Sequence, residues 1–540
     1  MHRWSFQRIV LWLAPVLLLL GVLCALLLAR RAAGVSATAA EERALADWSV
    51  ARTLVTDHVY GLQASTPAPL LKDSLWRILL AVAGWFTGSV QAAAWLLGAL
   101  CAAGTLLVLL ALARRLFPFP PFIYFAAALA VIMPGLATQA LSGTSIPLAM
   151  LLATAAALAH VDGLQGRRRI LPAWAAVFVG LLLWIRVEFA VLWLIFWVHA
   201  LCMMKPAGAK GEGRRVAAVR GLSGLFVLAL FMLPLVARNV RLLEVPWPQM
   251  PGAALSAQAL AGLAPARMIG RSLALAWDVL PGLFASASGV PLLQNGLGRL
   301  YVWFGVILLG VLAGWRVGDR AHTLALFDVV LAPVFLALVI PFLGMDSATT
   351  VLGALGPMFT LAAAFGIFRA PFLAEQLYRK WKEGLPEAEG FVIWWALAGG
   401  VLLLVAVLSM GRFTSRSMRE MADRGRVRES ASRLLLSGRI PVRSAVTDLP
   451  GWMAFAHDLP ILDLTGEFSP GLLTYVGEDG QWSREGLDRV RQEQKPDVAV
   501  LGGPDAEFLD SLLPETLERI VKESAPSQQV ILVPLPSSDR

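Results

Sequence analysis

Charge and cysteine are what this sequence has least of. Only 15% of its 540 residues are charged, against about 25% in soluble domains. Hydrophobic residues make up 57% and the mean hydropathy is +0.67, which excludes an ordinary soluble domain and reads as a polytopic membrane protein. The three cysteines, Cys24, Cys101 and Cys202, lie in different apolar runs. That excludes a disulfide framework or thiolate metal site and leaves small-residue packing. The six histidines are scattered and never at ligand spacing, so no metal site is indicated. No low-complexity tract or internal repeat stands out. A transporter more often shows an inverted repeat and several ionisable groups within its spans. The net charge of +9 belongs, in a chain this apolar, to cytoplasmic loops rather than to a nucleic-acid surface.

What is present is a series of apolar runs. Met1 to Arg8 is short and basic, and Ile9 to Leu28 has spanning length. Arg30-Arg31 follows it with no clear small-x-small cleavage site, so it reads as an uncleaved first helix. Leu75–Gly88 is shorter, contains Arg77 and reads as an interfacial helix. Further spans are expected near Val90–Ala113, Pro120–Gly135, Ser142–His160, Ile170–Ile185, Phe189–Met204 and Leu222–Val236. After a second long loop come Leu300–Trp315, Leu324–Leu343, Thr350–Phe368 and Phe391–Met410, for about eleven helices.

Charge sets the expected orientation. Arg114-Arg115, Arg167 to Arg169, Lys205 through Arg220, Arg316 with Arg320, and Arg379-Lys380 with Lys382 alternate onto one side, which the positive-inside rule makes cytoplasmic together with the N-terminus. The loops over 30–77 and 238–298 then lie outside, as does the tail. The second loop is amphipathic and rich in Pro, Gly and Ala, and its Arg267 and Arg271 share a helical face that suits phosphate or anionic headgroups. From Gly411 the composition changes. A charged helix-like stretch precedes β-type runs at Val442–Val446, Ile461–Leu464, Val498–Leu501 and Val530–Val533, with helical stretches near Arg484–Gln494 and Asp505–Lys522. The expected layout is a transmembrane domain over 1–410 and a small extracytoplasmic α/β domain over 411–540.

The first loop is the place to look for chemistry. It carries Glu41, Glu42, Asp47, Asp57, His58, Lys72 and Asp73 in a chain with few acids. Deeper in the apolar sequence, Arg186 and Glu188 interrupt two successive spans, and ionisable groups there are costly unless paired or facing a polar cavity. They read either as a phosphate clamp with Glu188 orienting Arg186, or as a snorkelling ion pair.

Several segments resemble the GT-C glycosyltransferases, most of all the bacterial branch that includes arabinofuranosyl- and mannosyltransferases. ERALADWSVARTLVTDHVYGL followed by DSLW is similar to that branch's first external loop, with Glu42 and Arg43 on an acid pair and Ala51-Arg52 on its Ala-Arg. Ser142 to Leu148 looks like its SGLETPL, and Ile185 to Phe189 its TRPEG. Trp247 to Met250 looks like its LPNT, and Gly344-Met345-Asp346 its GGD. In the tail, Asp448 to Phe455, Pro460 to Pro470 and Lys495 to Val498 are similar to its Asp-x-Gly, Pro-Val-Ile-Asp-Leu and Lys-Pro-Asp segments. The pattern departs at the acid pair, at Ser145 where the family has an acid, at PLLKDS, and at an Arg and a Lys of the later motifs.

The resemblance implies a polytopic GT-C-like fold and an inverting transferase. It would move a sugar from a polyprenyl-phosphate donor to a cell-envelope glycan, lipid or protein, on the outer face of a bacterial cytoplasmic membrane. The departures leave open a silent relative that binds a lipid-linked sugar or a partner; a transporter is a further alternative. Such transfer needs a carboxylate base and cationic groups for the departing phosphate. Glu42 is the first candidate base and Asp47 the competing one. Arg43, Arg52, Arg186, Glu188 and Asp346 are the candidate substrate-binding residues, each of which also reads as a surface, interfacial or turn group. His58 and Lys72 read as solvated. A divalent cation enters by analogy alone. Expected partners are the lipid-linked donor, membrane lipids and the acceptor, with no nucleic acid.

Overall fold

The computed structural model describes residues 6–243 and 418–535, with short gaps in each, together with a helical fragment at 353–361. Asp346, most of the second loop and the spans expected after it, apart from that fragment of Thr350–Phe368, lie outside the described residues, as does most of Pro120–Gly135.

The apolar runs form the helices their composition calls for. In order these are α1 Phe6–Ala32, α2 Glu42–Thr56, α3 Ser74–Thr87, α4 Val90–Leu116, α5 Pro134–Ala140, α6 Ile146–Leu164, α7 Leu171–Leu183, α8 Ala190–Met203 and α9 Glu212–Leu243. A single 3-10 turn, Val187–Phe189, joins α7 to α8. Three of the described helices, within α4, α6 and α9, are long and apolar enough to cross a membrane by length and composition. The chain is therefore built as a polytopic helical membrane protein.

α4, α6 and α7 pack in sequence, and small residues let them approach. A Cβ at Gly104 of α4 would come within 3.1 Å of Leu151 of α6, and one at Gly98 would strike the Ala140 carbonyl of α5. α9 runs farther than expected. It begins at Glu212 and ends at Leu243, so Arg214, Arg215 and Arg220 sit on the helix and not in a loop, and the second loop starts later than Arg238. A 32-residue helix is about 48 Å long and overreaches an apolar layer of about 30 Å, so water at its ends does not stop it.

The chain order puts the turns into two groups. At one end lie the C-terminus of α1, all of α2 and α3, the 141–146 turn, the 184–189 turn and the end of α9. There Arg30 donates to the Leu141 carbonyl, and Asn239 grips both backbone groups of Leu70. At the other end Arg115 of α4 pairs with Asp162 of α6 at 2.7 Å.

The tail forms a five-stranded sheet in the order β2-β1-β3-β5-β4. Its strands are β1 Ala445–Thr447, β2 Ile461–Asp463, β3 Val498–Leu501, β4 Ile520–Ala525 and β5 Gln528–Pro534. β2, β1 and β3 are parallel; β5 is antiparallel to both β3 and β4. A helix over 418–436 (α10) precedes it, and α11 Pro450–Ala456, α12 Arg484–Gln494 and α13 Ala506–Leu512 connect it. The helix expected over Asp505–Lys522 ends at Leu512, and 520–525 is a strand instead. Pairing with β5 overrides the local helical pattern there.

Both faces of the sheet are buried, as its alternation dictates. Ala499, Leu501, Ile531 and Val533 point into the tail's own core with Trp482, Leu487 and Val490 of the α12 region. Val498, Val500, Val530 and Leu532 point the other way and join the main core that includes α11 and the bundle. The tail is thereby packed onto the bundle and not tethered beside it.

Candidate functional site

α2 and α3 lie side by side, and their facing stripes carry opposite charges in swapped order. Arg43 of α2 forks onto Asp73 with Nε to Oδ2 at 2.8 Å and Nη2 to Oδ1 at 2.6 Å. One turn on, Arg77 Nε donates to Asp47 Oδ1 at 2.7 Å. Residues four apart share a helical face, so the two rungs stack. Asp47, Asp73 and Arg77 are buried, and Arg43 is 24% exposed.

Asp73 is the hub. It takes a left-handed backbone at φ +54° just before α3, a conformation Asp tolerates better than most residues. Its N–H donates to the Ile185 carbonyl at 2.9 Å, and Leu75 N–H donates to the Trp184 carbonyl at 3.2 Å. The 184–186 turn is thus stitched to the start of α3, which brings the buried Arg186 within electrostatic reach of Asp73. Ser145 donates its hydroxyl to the same carboxylate. Burial opposes Asp73's charge, but Arg43, Arg186 and Arg77 outweigh it and hold the carboxyl below its ordinary range.

Gly143 fixes both helices from below. Its carbonyl accepts from the indole of Trp48 at 3.3 Å and of Trp76 at 3.1 Å. Its φ of +81° and its contact with Trp48 leave no room for a Cβ, which would come within 2.5 Å of the ring.

Asp47 differs from Asp73 in kind. Burial pushes its carboxyl up to about 7; Arg77 opposes this and Asp73 adds to it. Its second oxygen, Oδ2, is buried with no hydrogen-bond partner among the described residues. A carboxyl near neutrality with one oxygen uncommitted is suited to accept a proton.

The remaining expected site residues separate. Glu42 and Arg52 face the tail. Glu42 accepts from the Trp452 backbone N–H at 3.0 Å and from Arg428 at 3.3 Å, and burial raises its carboxyl to about 7. Arg52 donates to the Ala454 carbonyl at 2.7 Å, with its guanidinium over Phe455. Glu188 lies on the 3-10 turn beside Arg186, and Arg186 acts on the charge of Asp73. His58 is exposed. Asp73, Arg77, Ser145 and Arg428 enter the arrangement without having been singled out as site residues. The spacing Arg43-Asp47 against Asp73-Arg77 was the available signal for two of them.

Among the described residues no group of three or more His, Cys, Asp or Glu could hold a metal. The acids here do not fit a divalent ion either, since guanidinium groups and Ser145 occupy Asp73 and Arg77 faces Asp47.

No family model and no curated protein matches the sequence. Solved structures do match its fold. ArnT from Cupriavidus metallidurans in the apo state is similar at a TM-score of 0.53 and 14% identity, over 92% of this chain and 93% of ArnT. Bound to undecaprenyl phosphate, ArnT gives 0.51 and 13%, over 95% and 98%. The apo oligosaccharyltransferase of Archaeoglobus fulgidus gives 0.56 and 13%, over 92% of this chain and 70% of that one. These are GT-C superfamily glycosyltransferases, and the chain carries their fold.

Proposed function

We propose that this chain is a membrane glycosyltransferase that takes a sugar from a polyprenyl-phosphate donor. It delivers that sugar to a cell-envelope glycan, lipid or protein on the outer face of a bacterial cytoplasmic membrane. The observation that carries this reading is Asp47, a buried carboxyl near neutrality with one uncommitted oxygen, set beside the Arg77 and Arg43 guanidinium groups, while Arg186 acts on the neighbouring Asp73. The fold adds support, since one structure that shares it holds undecaprenyl phosphate. The alternation of basic clusters supports a cytoplasmic N-terminus, with α2, α3 and residues 411–540 outside.

In this reading the acceptor hydroxyl gives its proton to Asp47 Oδ2 as its oxygen attacks the anomeric carbon. The bond from that carbon to the phosphate oxygen breaks, its electrons stay with the phosphate, and the anomeric configuration inverts. Arg186 and the exposed edge of Arg43 stabilise the departing phosphate, a task suited to the guanidinium fork. Asp73 holds these cations in place so that they are preorganised for the charge that develops.

A catalytically silent, lipid-sugar-binding reading is favoured by one observation. Glu42, on the first acid of the related pattern, has both carboxylate oxygens engaged by the tail. Purified protein in lipid nanodiscs, given polyprenyl-phosphate sugars and followed by release of free polyprenyl phosphate, separates the two. Turnover supports the transferase, and donor binding without turnover supports the silent protein. Neither binding nor turnover overturns both.

A further inference from the structure

The tail grips one face of α2 while the other face carries the charge ladder. Positions 42, 46 and 52 turn toward α11, and positions 43 and 47 turn about 100° away toward α3. At the N-terminal end of α2, Glu42 binds the Trp452 N–H and Arg428. Arg428 is itself buried, donates to the Ala40 carbonyl at 2.8 Å and lies over the Trp452 ring. In the middle, Gly451 touches the α2 backbone so closely that a Cβ would sit 2.4 Å from Ala46 N and 2.5 Å from the Glu42 carbonyl oxygen. At the C-terminal end Arg52 reaches Ala454, and Trp48 meets Phe455 edge-on at 5.8 Å. A separate contact reaches the ladder itself: the Arg77 guanidinium lies over the Phe468 ring, 5.0 Å from its centroid. Phe468 is itself tied to Asp463, which is buried and accepts from Thr465 and from the Phe468 N–H at 2.9 Å.

We propose that the tail sets the geometry of the charge ladder, with Glu42 as a positioning residue for α2 and Phe468 as the ring that steadies Arg77 against Asp47. This rests on the transferase reading for its catalytic consequence, but the positioning itself does not. Glu42 was the first candidate base from the sequence. Here it works by fastening the helix on which Asp47 stands. A displacement of about 1 Å at such a group costs on the order of a hundredfold in rate, so a grip of this kind reaches the chemistry without touching substrate.

The test compares Glu42→Ala with Glu42→Gln and Phe468→Ala with Phe468→Tyr, with Arg489→Ala on exposed α12 as control. Hydrogen exchange over 42–56 is read in the full chain in nanodiscs, and turnover in parallel. Faster exchange in α2 is expected for the two alanine variants. Glutamine, which still accepts from Trp452, and tyrosine, which keeps the ring, restore protection, and α6 exchange stays unchanged throughout. In turnover, kcat falls about tenfold to a hundredfold in the alanine variants, with KM nearly constant, and the conservative variants stay within about threefold of wild type. If Glu42 were the base, glutamine would lose about as much as alanine, on the order of 10² to 10⁴, and that result overturns the assignment. Unchanged α2 exchange in Glu42→Ala overturns the positioning claim as well. Should wild type show no turnover, the transferase reading falls while the exchange data still decide this one.

Discussion

Arg77 and Asp47 meet at 2.7 Å with both side chains buried, one helical turn along from the Arg43–Asp73 fork, so that α2 and α3 carry their charges in opposite order. Each helix presents one acid and one base at i,i+4, and the neutral ladder that results can be desolvated as a unit. A lone charge there could not. Guanidinium density remains high around it, because Arg186 also acts on Asp73.

Breaking the inner rung should be costly. Arg77→Met leaves the buried Asp47 without its ion-pair partner, with only the more distant Arg43 in reach, and is expected to destabilise by about 3–5 kcal/mol. Combining it with Asp47→Leu should recover much of the loss, because the pair is replaced by apolar groups of similar reach. Thermal unfolding of the two variants in the same detergent checks this.

The two acids with raised pKa values give stability and activity opposite pH trends. Asp47 rises from 3.8 to about 7, and Glu42 rises from 4.5 to about 7. Folding therefore favours their protonated forms. Their contribution to stability is complete below about pH 4 and declines as pH climbs to about 7. Asp47, with none of its side chain exposed, dominates; Glu42, 27% exposed, adds less. Asp73 acts in the other direction, since its lowered pKa adds stability above its ordinary value that is lost on acidification. Turnover needs Asp47 ionised and should rise with pH through about 7. Melting curves and kcat measured across pH 4 to 8 should cross in slope, and parallel trends would contradict the assignment.

Gly143 and Ser145 should separate architecture from electrostatics. Gly143→Ala meets both a left-handed backbone and the Trp48 ring, and should cost more than about 1 kcal/mol while loosening α2 and α3 together. Ser145→Ala removes its hydrogen bond to Asp73 and the longer one it accepts from Arg43, about 1.5–3 kcal/mol for the bond to the carboxylate, and should leave the helices seated. Hydrogen exchange over α2 and α3, which carry Trp48 and Trp76, should quicken in the first variant and not in the second.

Arg186→Lys keeps the charge and loses the fork. Binding of free polyprenyl phosphate, measured by native mass spectrometry in nanodiscs, should weaken about tenfold; Lys holds phosphate as a point charge only. Equal binding by wild type and variant would remove Arg186 from the donor site.

Much of this was legible in the sequence because it depends on composition and period. Apolar runs placed α1, α4, α6 and α7 within a few residues, and the short β-type runs Val498–Leu501 and Val530–Val533 placed β3 and most of β5. Less legible was whatever depends on partners far along the chain. β4 reads as helix locally and becomes a strand only beside β5. Glu42 looks like a free loop acid until Trp452, 410 residues later, is found bonded to it. Asp73 sat in the first loop's list of acids, but its importance comes from the 184–186 turn, which no local pattern links to it. Arg186 stands out in the sequence as an ionisable group in an apolar stretch, and it is buried; its action on Asp73, over a hundred positions away, is not visible there. The later motifs, including Asp346, fall outside the described residues.

The most direct measurement is single-turnover transfer from a polyprenyl-phosphate sugar by wild type and Asp47→Asn, prepared identically in nanodiscs. The variant is nearly isosteric, can still accept from Arg77, and leaves that guanidinium the charge of Asp73, so folding should survive. The account predicts release of polyprenyl phosphate by wild type and a loss of about 10² to 10⁴ in Asp47→Asn, with donor binding retained. A variant that turns over at the wild-type rate would contradict it.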